Sequence, residues 1–157
     1  MINFEWNDDL KDPLAPPEIS VPMDSGNIVL EDDNGTLRHG YLNEHGEFIC
    51  HREDGPAIIY ESGTKQWFFN GLYHRLDGPA IIHFDGLEEW YQNNIRHRLD
   101  GPAASLSDGR EVWFFNGLLH RVDGPARIYP DGMDRQWFLY GIKQKSECEY
   151  LGRHPFS

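Results

Sequence analysis

The chain has two cysteines in 157 residues, Cys50 and Cys148. Neither lies in a Cys-x-x-Cys pair, and two thiols make no disulfide framework. Thiolate metal sites and disulfide stapling are therefore excluded as organising features, and a reducing compartment is expected. No apolar run approaches the roughly 20 residues of a membrane-spanning helix. Met1 to Leu10 are polar and acidic, with no basic stretch leading into an apolar one, so no signal peptide is expected. The reading is a soluble, cytoplasmic protein, in the host cytoplasm if the gene is viral. Basic side chains are also scarce, with 14 Lys and Arg against 26 Asp and Glu, a net charge of -12. That balance disfavours direct binding to nucleic-acid phosphates or to anionic membranes. There is no phosphate-cradling glycine loop, zinc motif or nucleophile elbow. No catalytic residue, cofactor or metal ligand is assigned, and a non-enzymatic protein is expected.

What is present is a period. The heptapeptide His-Arg-x-Asp-Gly-Pro-Ala begins at His51, His74, His97 and His120, always 23 residues apart. A fixed period of this length is the mark of stacked repeats. Sixteen glycines, ten prolines and 13% aromatic residues favour strands and tight turns over helices. The fold class read from this is all-β, an elongated antiparallel meander of stacked β-hairpin repeats with terminal caps.

Four segments follow. Residues 1–26 are acidic and carry Pro13, Pro16, Pro17 and Pro22, which keep the backbone extended. Phe4 and Trp6 are its candidate anchors on the sheet or on a partner. Residues 27–50 read as a degenerate entry repeat, with strands at Asn27 to Glu31, Thr36 to Leu42 and Glu47 to Cys50. Residues 51–145 hold the four repeats, and residues 146–157 form an exit cap with one short helical turn. Charge follows this division. Residues 1–50 hold 11 acids and 2 bases, while residues 51–145 hold 13 acids and 11 bases.

Each repeat contains a short strand after the proline, a Gly turn, an aromatic strand and a second turn, as at Asn70-Gly71 and Asn116-Gly117. Repeats related by translation need an even number of chain reversals, and the two Gly turns supply two. The Asp-Gly-Pro segment must then bend the chain without reversing it. Leu72 to Phe84 becomes one kinked arm, with Lys65 to Phe69 as its hairpin partner.

Period 23, with Trp67, Asn70-Gly71 and His74, then Trp113, Asn116-Gly117 and His120, resembles the MORN repeat over residues 51–145. These repeats lack the Tyr-x-Gly that usually precedes the tryptophan in that family, and Arg rather than Gly follows the histidine. The resemblance implies a scaffold or interaction module, with lipid binding proposed for some members.

The recurring polar residues read as structure. Stacked histidines lie too far apart to share one zinc ion, so His51, His74, His97 and His120 are expected to fill a groove position and hydrogen-bond to a turn. Arg52, Arg75, Arg98 and Arg121 are expected to bridge backbone carbonyls and Asp54, Asp77, Asp100 and Asp123. Trp67, Trp90, Trp113 and Trp137 are expected to form the shared core.

Function is sought where the repeats differ. Gln92, Asn94 and Arg96 stand where the first and third repeats have Phe69 or Phe115, a glycine, and Tyr73 or Leu119. Those four apolar residues are read as one face, covered either by the N-terminal segment or by a partner. The expected partner is another protein, and the chain is a monomer or weak homo-oligomer. The leading expectation is a scaffold that binds this protein through its sheet face and acidic N-terminal segment. One alternative is an acidic viral or phage-type inhibitor of a host defence or nucleic-acid-binding protein, on the charge of residues 1–50. Another is small anionic ligand binding in the groove lined by His and Arg.

Overall fold

A computed structural model describes residues 27–130 and 134–145. The N-terminal segment with Phe4 and Trp6, the fourth Gly turn at Asp131-Gly132 and the exit cap lie outside the described residues. Among the described residues there are 19 strands and no helix.

Each repeat contributes two strands to one long antiparallel sheet and two to a separate hairpin. In the first repeat the sheet strands are Ile58–Ile59 and Lys65–Gln66, and the hairpin strands are Phe68–Phe69 and Leu72–Tyr73. Lys65–Gln66 pairs with Ile81–Ile82 of the next repeat, so the 11-stranded sheet runs unbroken from entry to exit. Phe68 pairs with Tyr73 and Phe69 with Leu72. The two ends of the arm from Leu72 to Ile82 therefore face Lys65 to Phe69, the kinked hairpin that chain-reversal parity predicts.

The arm is longer than its partner because the heptapeptide, His74 to Ala80, stands opposite the single residue Trp67. The Trp67 N–H donates to the Ala80 carbonyl at 2.8 Å, and the His74 N–H donates to the Trp67 carbonyl at 3.2 Å. One residue is thus bonded to both ends of the excursion, and Arg75 to Pro79 loop out of the ladder between them. Proline is tolerated there because no ladder bond needs its missing N–H.

The hairpin turns use the left-handed region at both central positions, with φ of 48° at Asn70 and 77° at Gly71. Two-residue turns of this kind match the natural twist of paired strands and favour Asn-Gly. Neighbouring hairpins are also joined sideways. The Gly71 N–H donates to the Cys50 carbonyl at 2.8 Å, and Asn94, Gly117 and Gly141 do the same to Tyr73, Arg96 and Leu119.

The entry repeat does the same work with fewer strands. Leu37–Leu42 pairs with Ile58–Ile59 through its first half and with Phe48–Cys50 through its second. A Cβ at Gly40 would lie 2.1 Å from the Ile49 carbonyl oxygen, so only glycine permits this crossing. Asp32 and Asn43 close its turns by accepting backbone N–H bonds, from Asn34 and Thr36 in one case and from His45 and Glu47 in the other.

The most deeply buried column is not tryptophan. Ala57, Ala80, Ala103 and Ala126 are each wholly buried. They stand where the loop re-enters the sheet, beside the tryptophan backbone for the last three and beside His39 for Ala57, and there the repeat holds only a methyl group. The tryptophans expected to form the core are half-buried instead.

Candidate functional site

The loops define the side of the molecule on which titratable groups gather. In each loop the arginine folds back over its own backbone. Arg75 Nε donates to Asp77 at 2.9 Å, and Nη1 donates to the Pro79 carbonyl at 3.3 Å. A Cβ at Gly78 would come within 2.6 Å of the Arg75 guanidinium carbon, which explains the glycine between Asp and Pro. The guanidinium then lies over the tryptophan of its own repeat junction, 4.2 Å from the Trp67 ring centre. Arg98 covers Trp90 at 3.9 Å and Arg121 covers Trp113 at 4.1 Å. This stacking was not anticipated from sequence. It places the ring beneath a cation rather than in an apolar interior.

Removing such a ring uncovers the loop as well as the sheet. Trp90→Ala is expected to cost about 2 kcal/mol, less than a fully buried tryptophan, and to free the loop from Arg98 to Pro102. Chemical denaturation measures the first effect and amide exchange of that loop the second.

Arg52 shows how the array begins. It has no tryptophan to cover, and its Nη1 lies 3.2 Å from His39 Nε2 instead. His39 also makes the tryptophan's backbone bonds, donating to the Ala57 carbonyl at 2.7 Å and accepting from the His51 N–H at 3.0 Å. His39 is thus the counterpart of Trp67 in the entry repeat.

Each heptapeptide histidine reaches into the following hairpin. His51 Nδ1 accepts the Asn70 N–H at 3.1 Å, His97 Nδ1 accepts the Asn116 N–H at 3.1 Å, and His120 Nδ1 accepts the Tyr140 N–H at 3.0 Å. The Asn93 N–H lies 3.3 Å from His74 Nδ1, and there the Asn93 side-chain oxygen stands beside it at 2.9 Å. These bonds run from the end of one hairpin to the turn of the next, so the histidine column holds neighbouring hairpins together. Among the described residues no three His, Cys, Asp or Glu side chains cluster as a metal ion would require.

The pH response follows from these contacts. The hydrogen bond from arginine holds the Asp54, Asp77 and Asp100 carboxyls below the usual carboxylate range. Burial, and then the Arg52 charge, lowers His39 from its ordinary 6.5. In both cases the unfolded chain binds more protons than the native one, so stability falls with falling pH. Thermal midpoints are expected to drop first below about pH 6.5, where unfolded histidine protonates, and again below about pH 4, through the aspartates. His39→Trp should remove part of the first drop and leave the second.

The residues expected to form one apolar face fall on two. Phe68 pairs with Tyr73 and Phe114 with Leu119, whereas Phe69 pairs with Leu72 and Phe115 with Leu118. Adjacent strand residues point to opposite sides. Phe69 and Phe115 therefore belong to the histidine face, and Tyr73 and Leu119 to the reverse. Phe69 packs between His51 and His74, at ring separations of 4.8 and 5.9 Å, and Phe115 packs between His97 and His120. All four residues are half-buried.

The second repeat departs on both faces. On the histidine face Gln92 replaces phenylalanine, and its Oε1 is buried with no hydrogen-bond partner. Asn94 stands where the other turns have glycine. Its Oδ1 accepts the Tyr73 N–H at 2.7 Å, which makes it a staple between hairpins. On the reverse face Arg96 pairs with the buried Glu89, and Glu89 also accepts from Tyr91 at 3.1 Å and lies 3.3 Å from His83. Burial alone would lower the Arg96 pKa, but the Glu89 carboxylate outweighs it and raises the value.

Residues not singled out by sequence reasoning carry the exposed apolar surface. Ile95, Leu118 and Ile142, one per hairpin just after the turn, are 37%, 47% and 65% exposed, and Tyr140 beside them is 60% exposed. Period 23 identifies Ile95 and Leu118 as one column, but the period does not say which columns face water. A cleft of about 690 Å³ lies between the first two loops, lined by Arg52, Asp54, Trp67, Phe69, Arg75 and Asp77 among others. No protein-family model, curated protein or solved structure matches this chain.

Proposed function

We propose that this chain is a non-enzymatic repeat scaffold that binds another protein through the histidine face of its hairpin row, with the acidic N-terminal segment as a second contact. The observation that carries this reading is the exposed rim of Ile95, Leu118, Tyr140 and Ile142. It borders a floor of half-buried side chains in which Gln92 Oε1 is buried without a hydrogen-bond partner. Exposed apolar surface of this kind suits a protein interface. The recurring titratable groups support a non-catalytic role. Each heptapeptide arginine bonds the aspartate and the proline carbonyl of its own loop, and each histidine Nδ1 meets the turn of the next hairpin, whereas catalysis needs one asymmetric arrangement. The resemblance to MORN repeats, which act mostly as scaffolds, points the same way, as an analogy from fold to role.

The test is affinity purification from the native cell with the full chain and with Leu118→Asp/Ile142→Asp. Both positions reach water, so the double variant is expected to keep the wild-type melting temperature. A protein recovered stoichiometrically by the wild type and lost from the variant supports the reading. Equal recovery by both, or recovery by neither, contradicts it.

A further inference from the structure

The cleft between the first two loops has a composition that the later intervals do not repeat. Its volume of about 690 Å³ falls within the roughly 300–1,000 Å³ of small-ligand pockets. Trp67, Phe69 and Leu76 line its apolar part, and Arg52, Glu53, Asp54, Arg75 and Asp77 supply its charges. The variable position of the heptapeptide is Glu53 in the first loop and Leu76, Leu99 and Val122 in the others. The interval between the second and third loops has Gln92 in place of Phe69. The interval between the third and fourth has Trp113 and Phe115, but Leu99 in place of Glu53. Tryptophan, phenylalanine and a variable-position acid therefore coincide only in the first interval.

A groove with arginine and histidine would ordinarily suit an anion, but both guanidinium groups here are already committed. Arg52 Nε donates to Asp54 at 2.7 Å and its Nη1 to the Pro56 carbonyl at 3.4 Å. Arg75 makes the same two bonds with Asp77 and Pro79. Each arginine is balanced by its own aspartate, and Glu53 leaves the cleft one charge negative. The Glu53 side chain is 76% exposed, and its closest basic nitrogen among the described residues is His51 Nε2 at 3.8 Å, beyond hydrogen-bond range. The arginine bonds use Oδ1 of Asp54 and Oδ1 of Asp77, and both carboxylates face water. The second oxygen of each can take a further donor.

The fold itself shows what such a surface holds. Arg75, Arg98 and Arg121 each lie over an indole while Nε meets an exposed carboxylate. A guanidinium between a ring and a carboxylate is thus the recurring contact of this chain. Glu53 and Phe69 offer the same pair of groups, and His51 brings them together. Its Nε2 is 3.8 Å from Glu53, and its ring centre is 4.8 Å from that of Phe69.

We propose that this cleft binds an arginine side chain of a protein partner, with the guanidinium on Phe69 and Glu53 and the aliphatic stem along Trp67 and Leu76. A long cationic side chain can lay its stem on apolar surface while its head meets a carboxylate. The cleft shares no residue with the hairpin rim.

The test is an NMR titration of the full chain with acetyl-Gly-Arg-Gly-amide, read at the Trp67 indole N–H and the amides of residues 53–55. The same peptide with citrulline, which keeps the shape and removes the charge, is the control. Saturable shifts are expected with arginine and none with citrulline. Glu53→Leu is expected to weaken binding about tenfold through the loss of one charge-assisted contact. Other loops carry leucine there, so this variant should fold as the wild type does. Leu99→Glu gives the third interval its missing acid at a position 79% exposed, and should create a second site read at the Trp113 indole N–H. The absence of saturable shifts at Trp67, equal shifts from the citrulline peptide, or unchanged binding by Glu53→Leu overturns the proposal. So does a Leu99→Glu variant with no second site. Saturation of the Trp67 signals by inorganic phosphate overturns it as well, and makes the cleft an anion site. The titration needs no cellular partner, so this proposal and binding by the rim fail separately.

Discussion

Glu89→Val alone is expected to destabilise the protein by about 3 kcal/mol, and adding Arg96→Leu is expected to recover most of that loss. Glu89 is buried and accepts from Arg96 and Tyr91 on the reverse face of the second repeat. Removing one partner of a buried pair leaves the other charge uncompensated, which costs about 3–5 kcal/mol when both are enclosed. The Arg96 side chain is 41% exposed, so the lower end applies. The third repeat supplies the replacement residues, because Val112 and Leu119 stand at the positions of Glu89 and Arg96. An apolar pair of fitting shape can equal or exceed a buried ion pair in stability. Urea denaturation of the single and double variants measures both effects. A harmless single change, or a double variant as unstable as the single one, would show that the pair is not enclosed as described.

His97→Ala is expected to cost about 3 kcal/mol, and His120→Ala about 1 kcal/mol. His97 is 4% exposed, packs against Phe115 at 5.1 Å, and accepts the Asn116 N–H. Its loss removes the ring and leaves a buried N–H without an acceptor, and each effect is worth roughly 1–3 kcal/mol. His120 serves the last described hairpin, where Tyr140 is exposed, so water can replace the lost bond. Position in the array matters because stability in stacked repeats is a sum over neighbours. An internal break uncouples two halves, and a terminal one frays an end. Amide exchange should show His97→Ala releasing residues 114–119 and the repeat beyond, with residues 37–66 unaffected.

Much of this fold is written at the level of local chemistry. The entry strands at Ile28–Glu31, Leu37–Leu42 and Phe48–Cys50 fall within a residue of where alternation and turn signals place them. Asn-Gly turns, the kinked arm and the histidine bond to a turn follow from φ preferences, chain parity and the need to pair buried polar groups. Other features depend on tertiary geometry that no local pattern encodes. Arg75 meets Trp67 across eight residues because the intervening loop leaves the ladder, and that same loop shifts the deepest position from tryptophan to Ala80. His39 could not be read as a tryptophan counterpart, since it stands 12 residues before its heptapeptide histidine and Trp67 stands 7 before His74. The candidate face failed to hold together for a related reason. Tyr73 and Phe69 belong to opposite sides of one hairpin, and register rather than composition decides that.

The central claim is that the heptapeptide is a clamp between successive hairpins, with its histidine accepting a backbone N–H from the next turn. An acceptor at Nδ1 requires the proton to sit on Nε2. Long-range ¹H–¹⁵N correlation of the imidazole rings reads this directly. The account predicts the Nε2–H tautomer at His51, His97 and His120 near neutral pH, with scalar coupling from each Nδ1 to the amide of Asn70, Asn116 or Tyr140. Rings that carry the proton on Nδ1, or that exchange freely between tautomers with no coupling, would contradict it.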